Sequence, residues 1–219
     1  MPALLSLQQQ AVNAIQSTKV SKAALDNAIN DRRNAFADLK SVSTKIINAL
    51  TVSGTTSLAV DDAKTINRKI QGIRASKKTV TAPQVSAPAQ HDASAAATPP
   101  ADKSISVSQQ SYDSQIDQFA KLIEVITQNT SYNPNEAELQ VKSLSVKLAN
   151  MKTCNTTFIN RYIAGSNDRI VRDNVLYTPQ NGLVPTALEI KKYIKSVFGA
   201  TSQQYKQVNS VQFTRSRAA

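Results

Sequence analysis

Acid–base catalysis needs a positioned histidine or a pair of carboxylates with shifted pKa values, and this chain offers little of either. Its only histidine, His91, lies in a stretch rich in Pro, Ala and Ser, where no regular element would orient the ring. The acidic pairs Asp61–Asp62 and Glu136/Glu138 fall near predicted helix starts, where the helix dipole favours negative charge. These carboxylates therefore predict helix ends better than they predict a catalytic acid and base.

Nucleophilic and metal chemistry have even less support. Cys154 is the only cysteine, so the chain cannot form an internal disulfide or a cysteine metal cluster. A small residue of a helix core explains Cys154 better than a nucleophile that lacks a histidine partner. The chain has no Walker-type loop, GxGxxG turn, GxSxG elbow or metal-ligand spacing. The sequence thus predicts no cofactor, no metal and no enzymatic activity.

Basic side chains form the most concentrated chemical feature. One cluster comprises Arg68, Lys69, Arg74, Lys77 and Lys78, and a second comprises Lys191, Lys192 and Lys195. The chain carries 26 Lys and Arg against 15 Asp and Glu, a net charge of +11. Both clusters could contact the phosphates of a polyanion, although a solvated helix face explains them as well. No helix-turn-helix, zinc-finger or RNP pattern accompanies them, which weakens a nucleic-acid role.

The elements that carry these residues recur along the chain. Residues 25–50 reappear 112 positions later as residues 137–162, and the register is gap-free between 38–52 and 150–164. The basic helices recur with an offset of 124, so that Arg68 aligns with Lys192. Because the offset increases from 112 to 124, the second copy contains twelve extra residues, near 168–179. These residues are expected to prolong the long helix or add a turn. The sequence therefore predicts an internal duplication.

Within each copy, apolar residues follow alternating steps of four and three, the heptad spacing of packed helices. In the first copy these positions are Leu25, Ile29, Arg32, Phe36, Leu39, Ser43, Ile46 and Leu50. In the second copy they are Ala137, Val141, Leu144, Leu148, Met151, Asn155, Phe158 and Tyr162. Ser43 and Asn155 form one matched polar layer. A polar residue at a heptad position can fix the register in which two helices pack, at some cost in stability. We therefore interpret this layer as structural.

The predicted fold is all-α, with two homologous helical-bundle units that contain long heptad-patterned helices. The first unit spans residues 1–76, a Pro/Ala/Ser/Thr-rich linker spans 77–106, and the second unit with its basic C-terminal tail spans 107–219. Few aromatic residues, no Trp and only five Gly favour long helices over a sandwich or barrel.

Capping residues predict where the helices begin and end. A short helix is expected over 5–18, and Ser21 is the expected N-cap of a long helix that continues to about Leu50. Asp62 is the expected cap of the third helix. In the second unit a helix is expected over 108–128, and Asn133 followed by Pro134 predicts the start of the next one.

The first residues, MPALLSLQQQ, lack a basic segment and a long apolar run, so they do not resemble a secretory signal. No apolar run approaches the roughly 20 residues that a membrane span needs. We therefore expect a cytoplasmic protein without a transmembrane segment, unless a leader has been removed or export is leaderless.

The sequence predicts a non-enzymatic structural or interaction protein that acts by self-assembly or by binding a protein partner. The alternative is a basic protein that contacts nucleic-acid phosphates through the third helix of each unit. Attachment to an anionic membrane is a weaker third possibility, because the basic helices are not expected to expose an aromatic or leucine-rich insertion face.

Two segments carry a resemblance to other proteins. The C-terminal IKKYIKSVFGATSQQYKQVNSVQF and the matching INRKIQGIRASKK resemble segments of uncharacterised bacterial proteins built from duplicated helical units. The resemblance covers most of both copies and implies a duplicated, all-helical fold. It transfers no functional residue, because it implies no activity.

Overall fold

A computed structural model describes residues 2–73 and 110–213. Its helices are α1 (Pro2–Phe36), α2 (Leu39–Val52), α3 (Ser57–Gln71), α4 (Tyr112–Gln128), α5 (Val141–Tyr177), α6 (Leu183–Phe198) and α7 (Gln203–Asn209), with a 3-10 helix at Ala137–Leu139 before α5. These described ranges contain no β-strand, so the predicted all-α class is confirmed. The predicted linker, His91 and the basic residues Arg74, Lys77 and Lys78 lie outside them.

The chain forms two compact units whose borders fall inside α1 and α5. The terminal unit combines Met1–Asp31 with Thr156–Ala219, and the central unit is Arg32–Asn155. The central unit thus combines residues from both halves of the sequence. The division into 1–76, 77–106 and 107–219 describes the repeats rather than these compact units, and it stays a prediction.

The central unit has a core of large aliphatic and aromatic side chains. On α4, Ile116, Phe119, Leu122, Ile123 and Ile126 follow steps of three and four residues, which place them on one face of the helix. They pack with the buried face of α2, with α3 and with the first turns of α5. The buried members from those elements include Leu39, Ile46, Leu50, Val60, Ile70, Leu144 and Met151. Because burying one such side chain stabilises a fold by about 1.5–3 kcal/mol, this core is the main source of stability in the central unit.

Side-chain and glycine caps set the ends of α3. The N-cap is Thr56, whose hydroxyl accepts a hydrogen bond from the backbone N–H of Ala59 at 3.4 Å. The predicted cap at Asp62 is therefore wrong, because the helix begins more than one turn earlier. At the other end Gly72 adopts a left-handed conformation with φ of 80°, and the N–H of Ile73 returns to the carbonyl of Arg68 at 2.9 Å.

Helix α1 runs through the predicted boundary near residue 20. The Ser21 hydroxyl does not cap a helix; it donates to the Asp168 carboxylate of α5. The prediction that a new helix starts at Ser21 is therefore wrong, because a tertiary contact uses that hydroxyl. A break occurs instead after Phe36, where Ala37 and Asp38 form a turn before α2.

The expected helix start at Asn133 is also wrong. Residues 133–136 are not helical, and α5 begins only at Val141. The buried Tyr132 hydroxyl donates to the carbonyl of Leu139 at 2.9 Å. The Tyr132–Leu139 hydrogen bond spans residues 133–138 and stabilises them as a loop that ends in the short 3-10 helix.

The terminal unit is packed through small side chains. Its buried apolar residues in the described ranges are Ala11, Ala14 and Ala28, and Gly165 of α5 lies where an added methyl group would contact Ser21 at 3.9 Å. Neither α6 nor α7 contains a buried residue. Helix α5 continues to Tyr177 and includes most of the predicted extra segment near 168–179. The terminal unit therefore lacks the large-residue core of the central unit.

Candidate interaction surface

Ser43 and Asn155, the predicted polar layer, are the buried polar residues of the described ranges. The Ser43 hydroxyl donates to the carbonyl of Lys40 at 2.9 Å and accepts from the Gln71 amide at 3.3 Å. Gln71 also donates to the carbonyl of Lys40 at 2.8 Å. Ser43 thus belongs to a polar junction between α2 and the end of α3, which the sequence pattern did not indicate.

Asn155 has different partners, all within the central unit. Its side-chain amide donates to the Asp113 carboxylate at 2.7 Å, and the guanidinium of Arg32 lies 3.4 Å from its carbonyl oxygen. The Arg32 guanidinium also lies 4.1 Å from the centre of the Tyr112 ring, which packs edge-on against Phe36 at 4.7 Å. This arrangement joins the end of α1, the start of α4 and the middle of α5 through hydrogen bonds and ring contacts.

A cleft of about 660 Å³ lies between the C-terminal half of α2 and the loop before α5. Its polar lining includes Lys45, Asn48, Asn133, Asn135, Glu136 and Glu138. Lys45 and Glu138 form an exposed ion pair at 2.7 Å, and the hydrogen bond and charge of Glu138 raise the pKa of Lys45. The cleft has several hydrogen-bonding groups but neither the enclosed apolar walls nor the convergent reactive groups of most small-molecule sites.

Tyr132 supports one wall of this cleft. Its burial, followed by the charge of Glu136, raises its pKa to about 12, so the phenol keeps its proton even near the ordinary tyrosine pKa of about 10. The neutral phenol keeps its proton for the Leu139 carbonyl. Tyr132 is therefore a structural hydrogen-bond donor.

Replacing Tyr132 with phenylalanine is expected to lower the free energy of unfolding by about 1 kcal/mol near pH 8, because the Leu139 carbonyl loses its partner. A raised folded-state pKa contributes stability that is present below the unfolded value of about 10 and is lost as pH rises through about 12. The difference between the two proteins should therefore shrink over that window. Urea unfolding along a pH series measures it, and the exposed Tyr193→Phe is the control. An equal difference at all pH values would contradict the assignment.

The basic residues of α3 lie at its last turn. Arg68 donates to the Thr65 hydroxyl at 2.8 Å, and the backbone carbonyl of Lys69 accepts from Gln110 at 2.7 Å. Lys40 adds a third cation there by donating to the carbonyl of Gln71 at 3.3 Å. Cations at this position are favoured by the helix dipole. The described part of the first basic cluster is thus an exposed, dipole-stabilised helix end in the central unit.

The basic residues of α6 lie in the terminal unit and partly serve its own packing. Lys191 donates to the carbonyl of Val211, and its ammonium group lies 5.2 Å from the centre of the Phe213 ring. Lys195 lies 5.9 Å from the centre of the Tyr205 ring. Lys192 is exposed. Lys191 and Lys195 therefore contact α7 and the residues that follow it, and they help to hold these residues against α6.

Helix α6 also exposes large apolar side chains, contrary to the expectation for the basic helices. Tyr193 is 70% exposed, and Val197 and Phe198 are each 54% exposed. Amphipathicity predicts an apolar face but does not tell whether a neighbour covers it. The expectation that the basic helices expose no aromatic insertion face is therefore wrong for α6.

Helices α1 and α5 also expose large apolar side chains, which the sequence did not predict. The exposed residues of the terminal unit on these two helices are Leu5, Val12, Ile15, Val20, Ile159, Tyr162, Ile163, Ile170 and Val171. Single exposed apolar residues are normal on a folded protein, but their number on these two helices makes the terminal unit a candidate interaction surface. The signal was present as a helical period, but its exposure depends on tertiary packing.

No metal-binding cluster lies in residues 2–73 and 110–213, which the structure describes. These residues include no group of three or more His, Cys, Asp or Glu side chains placed to hold a metal ion. The half-buried Cys154 contacts the Asn150 side chain at 3.7 Å, and the described ranges contain no histidine to activate it. Among the described helices, none is long and apolar enough to cross a membrane.

Comparison of the chain with known protein families, with characterised proteins and with solved structures gave no match. The resemblance to duplicated bacterial proteins therefore stays a prediction.

Proposed function

We propose that the protein is a non-enzymatic structural or interaction protein that works by self-assembly or by binding a protein partner. One contrast carries the proposal. The buried apolar residues that the structure describes in the terminal unit are alanines, whereas the central unit buries Phe, Leu, Ile and Met side chains. The large apolar side chains that the terminal unit exposes are therefore available to pack against another protein surface.

The physical argument concerns where these side chains can be buried. An amphipathic helix is stabilised mainly by packing its apolar face against another element. In the terminal unit α6 has no buried residue, and Ile163 and Ile170 of α5 are more than half exposed, at 52% and 57%. A partner that covers them would stabilise the unit by about 25 cal/mol per Å² of apolar surface buried. Assembly supplies the missing packing.

The proposal includes the finer fold inferred from the sequence, an internal duplication with heptad-patterned helices. It is supported by the gap-free match of 38–52 with 150–164 and by the burial of both matched polar residues, Ser43 and Asn155. In this proposal the repeats set the architecture, and the residues that differ between the copies provide the interaction surface. The Pro/Ala-rich segment 77–106 joins the repeats.

Size-exclusion chromatography with light scattering tests the proposal. We expect a mass that is a multiple of the 23.7 kDa chain, or a protein partner that co-purifies in a pull-down and elutes with it. A mass of one chain at every concentration, with no partner recovered, would count against it.

Binding to a nucleic-acid polyanion is the second candidate function. It is favoured by the net charge of +11 and by the exposed cations at the end of α3. Binding to duplex DNA or RNA should weaken steeply as salt rises, and it should be lost when Arg68, Lys69 and Lys192 are changed to Glu. Lys191 is a poor choice for this test, because it also holds Val211. Each of these substitutions made singly should weaken binding more than Lys121→Glu, an exposed position on α4 with the same change of charge. No binding at low salt would exclude this candidate.

A further inference from the structure

The part of α5 in the terminal unit exposes a row of isoleucines. Ile159, Ile163 and Ile170 are 42%, 52% and 57% exposed, and their spacing places them on one side of a helix with 3.6 residues per turn. Asp168 lies on the opposite side of the helix from Ile159, since the nine residues between these positions correspond to two and a half turns. Its backbone carbonyl and carboxylate accept hydrogen bonds from Thr18 and Ser21 of α1. The isoleucine row therefore faces away from the side that contacts α1.

We propose that residues 156–173 of α5 pair in antiparallel orientation with the same residues of a second copy of this chain. The inference rests on the proposed self-assembly and names its surface. The isoleucine row fits a heptad in which Thr156, Ile163 and Ile170 occupy the a positions. Ile159, Ser166 and Asp173 occupy the d positions of that heptad.

Hydrogen bonding and charge favour the antiparallel orientation, and the self-complementary row favours a second copy as the occupant. A parallel pair in register would place each residue opposite itself, so that the two Asp173 carboxylates, each paired with its own Arg172 at 2.7 Å, would face each other in one layer with no donor between them. In the antiparallel pair an a position faces a d position. Asp173 then lies opposite Thr156, whose hydroxyl can donate to it. Ile159 faces Ile170, and Ile163 faces Ser166, so every layer is apolar, neutral or hydrogen-bonded.

The residues that flank the row are also complementary to themselves. Tyr162 and Arg169, both exposed, occupy the g positions. Antiparallel packing brings g beside g, so the guanidinium of Arg169 lies near the Tyr162 ring of the second copy, and twofold symmetry repeats this pair. Tyr162 is already oriented by Phe158, whose ring centre lies 6.2 Å away. With only two Ile–Ile layers, the interface is small and the dimer dissociates on dilution.

Cysteine cross-linking tests the register. In a Cys154→Ser background, one preparation carries Ile163→Cys and another carries Ser166→Cys, and the two are mixed and oxidised. We expect the mixed cross-link to dominate, because these positions face each other. In a pair of two Ile163→Cys chains, the introduced thiols would be offset by about 4.5 Å along the axis, at 1.5 Å per residue. Val171→Cys, exposed but off the row, is the control and should not cross-link efficiently.

The outcomes separate this inference from the wider proposal. Dominant pairing of Ile163→Cys with itself, or a dimer by light scattering that yields no cross-link, would overturn the antiparallel α5 pair and leave self-assembly standing. A monomer at every concentration would overturn both.

A charge substitution gives an independent measurement. Ile170→Lys should raise the dimer dissociation constant at least about tenfold, while Val171→Lys should leave it unchanged. Circular dichroism checks that both variants stay helical. An intact dimer of the Ile170→Lys variant would overturn the inference. So would a monomeric chain that binds vesicles of anionic phospholipid and loses only that binding in the Ile170→Lys variant.

Discussion

Replacing Leu50 with alanine is expected to lower the free energy of unfolding by about 2–5 kcal/mol. Leu50 is fully buried, at 0% exposure, in the face of α2 that joins the central core. The substitution removes three carbon atoms and leaves a cavity in the core, which the neighbouring side chains cannot fill without moving. The loss is large because those neighbours belong to several helices, so they cannot all relax toward the gap. Urea unfolding followed by circular dichroism measures it.

Leu58 gives a matched control within the same unit. It is the same residue type in α3 but is 76% exposed, so Leu58→Ala should change the free energy of unfolding by less than about 0.5 kcal/mol. Similar losses for the two variants would contradict the core described for the central unit. The pair therefore separates the effect of burial from the effect of losing a leucine in a helix.

Asn155→Asp is expected to destabilise the protein by about 1–3 kcal/mol near neutral pH. The side-chain amide of Asn155 donates to Asp113 at 2.7 Å, and the substitution replaces that donor with a second carboxylate in a buried site. Arg32 partly offsets the repulsion, since its guanidinium lies 3.4 Å from the other oxygen. The repulsion dominates, because the contact with Asp113 is the shorter one.

The pH dependence of this variant has a definite sign. A neighbouring carboxylate favours the protonated form of the new side chain in the folded state, so the lost stability is regained as pH falls and the deficit grows as pH rises. Unfolding measured along a pH series should show this trend relative to the wild-type chain. Asn160→Asp, an exposed position on the same helix, is the control and should show no such trend. A constant deficit would argue against the contact with Asp113.

The two units differ in how a partner or a mutation would affect them. The central unit is stabilised by its own core, so substitutions there act on folding. The terminal unit brings α1 and α5 together through Ala, Ser and Gly and leaves its larger side chains exposed. Substitutions on its outer faces should therefore act on association and leave the unfolding of the isolated chain nearly unchanged. Substitutions that weaken association without changing the free energy of unfolding would therefore identify the residues of the proposed interaction surface.

Much of the architecture follows from the sequence. Periodicity of apolar residues predicted helices and an all-α class, which the described ranges show. Of the positions that it selected, Phe36, Leu39, Ile46 and Leu50 are buried, whereas Tyr162 is 54% exposed. It also singled out Ser43 and Asn155, both of which are buried. These results depend on local spacing, since residues three and four apart share a face whatever the rest of the chain does.

Tertiary structure decided what local spacing leaves open. Ser21 has the chemistry of an N-cap, but its hydroxyl binds Asp168, which is 147 residues away in the sequence. Asn133 and Pro134 form a sound helix start, but the Tyr132–Leu139 hydrogen bond keeps them in a loop. Ile163 and Ile170 follow the same helical period as buried residues, but the tertiary structure leaves them 52% and 57% exposed. A sequence defines the apolar face of a helix, whereas the arrangement of its neighbours decides whether that face becomes a core or a binding surface.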